Sequence, residues 1–464
     1  MSVSPKIFKK YDIRGRAEGA DAIITPAAAR LVGQAFGTYL QRVENRSHAV
    51  VGRDNRHTSP ELAAAAADGL AASGCQVWDI GLVSTPVVYW AAVQRGDAGG
   101  LMVTGSHLSP DQNGFKLSVG ARNIFGDGLQ ALRQMIETHD LAAGAGAVET
   151  DADAARRYVA DLAQRVPAGQ PLSVVVDAGN GTGGLFAPAL LARWGHTMLD
   201  CLFCEPDGRY PNHQPDPQEP KNMQALAAAV RAHKADIGIA FDGDADRMGA
   251  VDEHGDLIAA DRVLALLARD LLARHPGAAV VADVLSSQAL FDAVAAAGGQ
   301  PVMWISGHSL VKAKMAELGA PLGGEMSGHI FLGEDYFGFD DAYLAAGRLL
   351  ALLAASGRPL SALNAELPHY FSTPEYRPRC PDEDKAIVID GVKAALTGQS
   401  DVEQVVDVDG IRIQFRRGWG LVRASNTEPV LSLRFEGMTE ADALDYRDRF
   451  FAALRAYPQV QGLA

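Results

Sequence analysis

The sequence predicts an α/β protein. It reads as three similar α/β domains with mainly parallel mixed sheets, plus a smaller α+β C-terminal domain, around a central cleft. Three observations carry that prediction. An apolar strand ending in a polar turn recurs three times, as AVVGRD (49–54), SVVVDAGN (173–180) and AVVADVLS (279–286). Each is followed by an alanine- and leucine-rich stretch of helical spacing, a glycine and a second strand: GCQVWDIG (74–81), GHTMLDCL (195–202) and GGQPVMWIS (298–306). After about residue 365 the pattern becomes short β-type runs within 405–437, then the helix-like MTEADALDYRDRFFAALRA.

Strand–helix–strand order at similar spacing implies parallel pairing within each unit. The units then reach three polar loops, VTGSH (103–107), AFDGDADR (240–247) and GGEMSGH (323–329). In open α/β sheets, ligands bind beyond the carboxyl ends of the strands, so equivalent loops can face one cleft. The expected segments are 1–148 with the VTGSH loop, 149–254 with the acidic loop, 255–365 with GGEMSGH, and 366–464.

Bulk properties bound the function. A formal charge of −14 without a lysine- or arginine-rich block argues against nucleic acid or an anionic membrane as partner. Apolar runs are broken before membrane-spanning length, and MSVSPKIFKKYDIRG lacks the apolar segment of a secretory signal. A cytoplasmic, monomeric protein is expected. Four cysteines suit a reducing compartment, and Cys201 and Cys204, a lone C-x-x-C, are expected as packed, reduced thiols.

The acidic loop places Asp242, Asp244 and Asp246 at alternating positions. Three carboxylates so close repel unless a cation compensates, and oxygen-only donors suit Mg²⁺. A calcium loop is excluded because Arg247 holds the position where that loop needs glycine. A solvated acidic turn is the plainer alternative. Within GWGLVRASNTEP (418–429), Arg423 offers a bidentate phosphate contact while Ser425, Asn426 and Thr427 offer turn donors; a simple hairpin fits equally. Glu325 and Ser327 would project the same way on an extended strand and suit vicinal sugar hydroxyls, with His329 completing a polar rim. The glycines of VVVDAGNGTGG (174–184) do not match the dinucleotide spacing and read as a tight strand-to-helix turn.

Together these motifs resemble the α-D-phosphohexomutases, and most closely the bacterial phosphomannomutase/phosphoglucomutase branch. The likeness runs from FKKYDIRG (8–15) to RASNTEP (423–429). It implies that Ser106 is phosphorylated in the active enzyme, with His107 beside it, and that Asp242, Asp244, Asp246 and the phosphoserine oxygen hold Mg²⁺. It implies sugar recognition by Glu325, Ser327 and His329, and phosphate binding by Arg423, Ser425, Asn426 and Thr427. Tyr11, Arg14, Lys116, Arg247 and His308 match cleft-lining positions, the last three as candidates for proton transfer or charge neutralisation. The implied reaction moves phosphate between C1 and C6 of mannose or glucose phosphates through a hexose 1,6-bisphosphate, which also serves as activator.

Three departures from the family pattern stand out. Leu108 and Ser109 replace an asparagine–proline pair after the histidine, Gln112 replaces a common tyrosine, and Leu285 stands where a cleft lysine is frequent. Phosphoglucosamine mutase, or a weakly active or non-catalytic sugar-phosphate-binding homologue, are the alternative readings.

Overall fold

The computed structural model describes residues 3–425 and 428–463. It divides into two compact units, residues 1–263 with 327–363 and residues 264–326 with 364–464.

The first unit holds two mixed sheets. In one, the strands run in the order Ile13–Arg16, Gln112–Val119, Gly99–Val103, His48–Arg53, Gln76–Leu82 and Ala147–Thr150, with Arg122–Asn123 paired at the side. His48–Arg53 lies parallel to both Gln76–Leu82 and Gly99–Val103, while Gln112–Val119 runs antiparallel to Gly99–Val103. The other is ordered Leu257–Ile258, Met248–Val251, Ile237–Phe241, Ser173–Asp177 and Thr197–Leu202. Its last three strands are parallel. Ile237–Phe241 and Ser173–Asp177 read as near-continuous apolar runs because both faces are covered, whereas the edge strand Thr197–Leu202 is partly exposed.

Alanine-rich composition has a packing consequence. Helix Pro26–Arg42 starts at Thr25, whose Oγ1 accepts the Ala28 N–H at 3.2 Å, with proline at the first position. It crosses helix Ser59–Ala72 so closely that a Cβ on Gly33 would lie 2.1 Å from the Ala66 carbonyl oxygen. Small residues on both helices permit that approach, and Phe36, Leu40, Leu62 and Leu70 close the core around it. Each such side chain contributes about 1.5–3 kcal/mol on burial.

The second unit has three parallel strands, Gln300–Trp304, Ala279–Asp283 and Leu322–Gly324. It also has a five-stranded antiparallel sheet, ordered Phe371–Ser372, Leu431–Gly437, Gly418–Ala424, Ile411–Phe415 and Val402–Val406. Helices Lys385–Leu396 and Glu440–Leu454 contribute Val388, Val392, Phe450 and Leu454 to the core of that sheet. The MTEAD stretch opens the last helix with a capping box between Thr439 and Asp442.

The threefold recurrence is therefore real at the level of register: Ala49 faces Val77, Val174 faces Met198 and Val280 faces Pro301 in equivalent parallel pairs. One expectation fails. Cys201 and Cys204 are bonded to each other, with Cα atoms 5.7 Å apart, whereas Cys75 and Cys380 are free and buried. The chain turns at the end of strand Thr197–Leu202 with Phe203 at φ +52°, which brings the pair into disulfide range.

Candidate active site

In the first unit, strand Gly99–Val103 ends at the loop that carries Ser106. Ser106 is buried and sits at φ +50°, a left-handed conformation unusual for a residue with a side chain. The turn is imposed from below by Asp54 and Arg56. Asp54 accepts the Gly105 N–H at 3.1 Å and the Arg56 N–H at 3.0 Å. The buried Arg56 guanidinium donates to the carbonyls of Ser106 (2.8 Å), Leu108 (2.6 Å), Ser109 (2.5 Å) and Gln112 (2.9 Å). Position 105 must be glycine, because a Cβ there would meet Arg56 Cζ at 2.4 Å.

Ser106 Oγ donates to Asp242 Oδ2 at 2.9 Å and lies 3.1 Å from His107 Nδ1. Asp242 follows strand Ile237–Phe241, and its Oδ1 accepts the N–H groups of Asp246 (3.1 Å) and Arg247 (3.2 Å). Asp242, Asp244 and Asp246 are all fully buried, with one oxygen from each within 4.8 Å of the others. Lys116, on strand Gln112–Val119, donates to Asp244 Oδ2 at 2.6 Å and to Asp246 Oδ2. Thr85 fixes the same loop, donating to Asp244 Oδ2 at 2.5 Å.

Three buried carboxylates need more positive charge than one ammonium supplies. Burial, together with Asp246 and Asp244, pushes the Asp242 carboxyl well above its usual range. Burial acts the same way on Asp246, but Lys116 and His329 outweigh it and hold that carboxyl well below. Burial would lower Lys116, yet Asp244 and Asp246 raise it and keep it charged. Asp244 Oδ1 is buried without a hydrogen-bond partner among the described residues. An all-oxygen donor set with an orphaned carboxylate oxygen fits a hard divalent cation such as Mg²⁺.

His107 is driven well below the usual imidazole range by burial and then by Arg247 and Arg14, so it stands neutral beside the serine. Arg14 donates to the Gly105 carbonyl at 3.2 Å and pairs with Asp12. Tyr11 lies just before the strand that carries Arg14, with Lys10 above its ring. Arg247 Nε donates to His329 Nε2 at 3.2 Å, and Ser327 Oγ lies 3.0 Å from His329 Nδ1.

The second unit carries the remaining predicted residues. Glu325 follows strand Leu322–Gly324, and its Oε1 accepts the Gly307 N–H at 2.5 Å, next to His308 at the start of helix His308–Leu318. The strand stops at Gly324 and Met326–Ser327 form a turn, so Glu325 and Ser327 do not share the face of an extended strand. Arg423 is the penultimate residue of strand Gly418–Ala424 and donates to Asp409 Oδ2 at 2.8 Å, which also accepts the Ser306 N–H at 3.1 Å. Ser425 Oγ accepts the Glu428 N–H at 3.3 Å, while Lys385 Nζ grips the Ser425 and Glu428 carbonyls at 2.9 and 2.6 Å. Asn426 and Thr427 lie outside the described residues.

Sequence reasoning missed Asp54, Arg56, Asp283, Lys385 and Asp409. The first and third had a visible signal: each repeat has an acidic residue at or just after the end of its first strand, Asp54, Asp177 and Asp283, and each accepts a loop N–H. The departures also acquire a physical reading. Leu108, Ser109 and Gln112 meet Arg56 through main-chain carbonyls, which any side chain leaves available. Leu285 packs with Val284, Trp419 and Leu421.

Four family models match in order along the chain: phosphoglucomutase/phosphomannomutase alpha/beta/alpha domain I at residues 5–143, domain II at 156–255, domain III at 259–371, and the C-terminal domain at 375–453. The phosphomannomutase/phosphoglucomutase of Pseudomonas aeruginosa is 42% identical over 97% of this chain and 96% of its own. The phosphoglucomutase of Neisseria gonorrhoeae is 40% identical over 99% of each. A crystal structure of a phosphoglucomutase/phosphomannomutase family protein from Burkholderia thailandensis superimposes with a TM-score of 0.92 at 41% identity, covering 99% of both chains. With all four domain models in sequence and such likeness over nearly its whole length, the chain belongs to the phosphoglucomutase/phosphomannomutase family.

Proposed function

We propose that the chain is a phosphohexomutase, an isomerase that moves a phosphoryl group between C1 and C6 of mannose or glucose phosphates. The observation that supports it most is Ser106 Oγ at 2.9 Å from Asp242, one of a buried triad of carboxylates. In this reading phosphorylated Ser106 gives its phosphoryl group to the free hydroxyl of a hexose 1- or 6-phosphate. The sugar O–P bond forms, the Ser106 O–P bond breaks, and the hydroxyl proton is lost. The resulting 1,6-bisphosphate turns over, and its other phosphate returns to Ser106. Added bisphosphate acts as an activator by phosphorylating any resting serine.

The chain's own residues divide the work. Asp242, Asp244 and Asp246, with the phosphoserine oxygen, would hold Mg²⁺, which when bound offsets the charge on the transferring group. Lys116, kept charged, and Arg247 neutralise negative charge near the acidic loop. Neutral His107 can hold or release a proton at Ser106 Oγ, and His308 is assigned to the sugar hydroxyl. Tyr11 and Arg14 line the substrate path. Glu325, Ser327 and His329 take the sugar hydroxyls, and Arg423, Ser425, Asn426 and Thr427 take the phosphate that is not reacting.

The division into segments 1–148, 149–254, 255–365 and 366–464 belongs to this proposal; four sheets support its number of segments, while strands Ala147–Thr150 and Leu257–Ile258 extend the first two sheets a few residues past the stated bounds. So do a monomeric state, checked by light scattering, and a cytoplasmic location. Among the described residues, no helix is long and apolar enough to cross a membrane.

Intact mass tests the phosphoenzyme. A fraction about 80 Da heavier, removed by phosphatase and missing in Ser106→Ala, is expected. A coupled assay with glucose, mannose and glucosamine 1-phosphates separates the mutase from its alternatives; turnover of glucosamine phosphate alone, or of none, overturns the assignment. Asp244→Asn is expected to abolish the Mg²⁺-induced rise in Tm and to cut turnover at least about 100-fold. An undiminished Mg²⁺ response would remove the triad as the metal site.

A further inference from the structure

Two sequence features play no part in the phosphotransfer reading: the C-x-x-C of Cys201 and Cys204, and the turn in VVVDAGNGTGG. The structure joins them. The Ala178 N–H donates to the Leu202 carbonyl at 3.1 Å, and the Asn180 N–H donates to the Phe203 carbonyl at 2.8 Å. Asn180 Nδ2 donates to the Glu205 carbonyl at 2.9 Å. Gly184 faces the cysteine loop so closely that a Cβ would lie 2.0 Å from the Cys204 carbonyl oxygen. The same turn then grips the acidic loop. Thr182 donates to the Gly243 carbonyl from its N–H at 2.9 Å and from Oγ1 at 3.2 Å. Gly243 sits between Asp242 and Asp244 and packs on the Ser106 carbonyl, which a Cβ at position 243 would meet at 2.3 Å.

A second route leaves from Phe203, one of the two residues between the cysteines. Its ring meets His213 edge-on at 5.4 Å. His213 bonds Asp177 at 3.1 Å, and the neighbouring Gln214 donates to the His107 carbonyl at 2.6 Å. The geometry of the Leu202–Glu205 loop is thus shared with both sides of the phosphoserine site.

We propose that Cys201 and Cys204 are a reversible dithiol–disulfide site, served by small-molecule disulfides and dithiols, whose bonded state holds the acidic loop in its metal-binding arrangement. Both cysteines are half-buried, whereas Cys75 and Cys380 have no solvent exposure. In the forward step the thiolate of one cysteine attacks a sulfur of a disulfide such as glutathione disulfide, releasing one thiolate. The second cysteine then attacks that mixed disulfide, forming the Cys201–Cys204 bond and releasing the second thiolate. Two electrons pass to the oxidant and two protons are lost from the cysteines. A dithiol reverses both steps. Only the kinetic readout of this proposal rests on the mutase assignment.

The test equilibrates the full-length protein in glutathione buffers of graded poise, then alkylates free thiols and measures mass. A two-thiol change confined to the peptide carrying Cys201 and Cys204 is expected. Amide hydrogen exchange across residues 178–184 and 240–247 should be faster in the dithiol form. Half-saturation by Mg²⁺ should rise about threefold to tenfold on reduction, the range expected for coupling through packed networks. The double variant Cys201→Ser/Cys204→Ser should show the reduced values in every buffer. Cysteines that stay reduced in glutathione disulfide alone would overturn the site. A thiol change without altered exchange at 178–184 and 240–247 would overturn the transmission, and this result is readable even if no sugar phosphate is turned over.

Discussion

Asp54 directly follows strand His48–Arg53 and Asp283 is the last residue of strand Ala279–Asp283, and both are buried. Their surroundings differ. Asp54 shares its loop with Arg56, whose Nε lies 3.3 Å from Oδ2 while its other nitrogens hold four carbonyls of the Ser106 loop. Asp283 instead accepts from Ser286 Oγ (2.6 Å), Ser306 Oγ (3.0 Å) and the Met326 N–H (3.2 Å), with Glu325 as its charged neighbour. The first arrangement is a compensated ion pair that fixes one loop geometry. The second is a carboxyl held by hydroxyls, and burial with Glu325 pushes it up to about 6. In the proposed function the first kind of support holds the loop of the transferring group, and the second underlies the loop assigned to the sugar hydroxyls.

Breaking the Asp54–Arg56 pair should give the largest effect. Arg56→Met removes the four side-chain donors to the carbonyls of Ser106, Leu108, Ser109 and Gln112 and leaves Asp54 buried without its cation. Loss of one partner of a buried pair costs about 3–5 kcal/mol, so a steep fall in Tm is expected together with loss of the phosphoenzyme. Arg56→Lys should rescue only part of this, because one ammonium cannot span carbonyls that a planar guanidinium reaches together. Full phosphorylation of Ser106 in both variants would show that the clamp does not set the loop.

Asp283 sharpens the contrast through pH. Its folded carboxyl lies above its unfolded value of 3.8, so the folded state holds the proton more tightly. Its contribution to stability is complete below about pH 4 and is lost as pH rises through about 6, a span worth at most about 3 kcal/mol. Tm measured from pH 4 to 7 should therefore decline less in Asp283→Asn than in the wild type. The same variant should raise KM for sugar phosphate more than it lowers kcat, because Asp283 acts by positioning the Met326 N–H and the Ser306 loop. Identical Tm profiles would return Asp283 to the ordinary class of buried, ionised caps.

This pair also shows what sequence alone conveys. The strands, the repeat and the acidic loop were legible because each is encoded in contiguous residues: apolar runs, helical spacing and alternating aspartates. Ser106 and Asp242 are 136 positions apart, and their contact at 2.9 Å follows from two loops meeting, which no local pattern reports. Arg56 was invisible for a similar reason, since a buried arginine that serves main-chain carbonyls leaves no complementary side chain to notice. The cysteine pair was misread because composition speaks for a compartment, whereas the turn at Phe203 speaks for this site.

The smallest expected effect concerns the residues that depart from the family pattern. Leu108, Ser109 and Gln112 lie within the clamped loop, and a reading by side chain alone treats them as signs of decay. Their carbonyl oxygens are what Arg56 uses, and Leu108 is half-buried while Ser109 is exposed. Leu108→Asn and Gln112→Tyr should therefore leave the unfolding free energy within about 0.5 kcal/mol of wild type, because the Arg56 bonds use main-chain carbonyls that both variants keep. Turnover should stay within about twofold, because neither change touches the Arg56 donors or the Asp54 cap. A large gain in turnover with Leu108→Asn would mean that the side chain at this position reaches the reacting groups directly, and that the clamp is only half of what shapes the Ser106 loop.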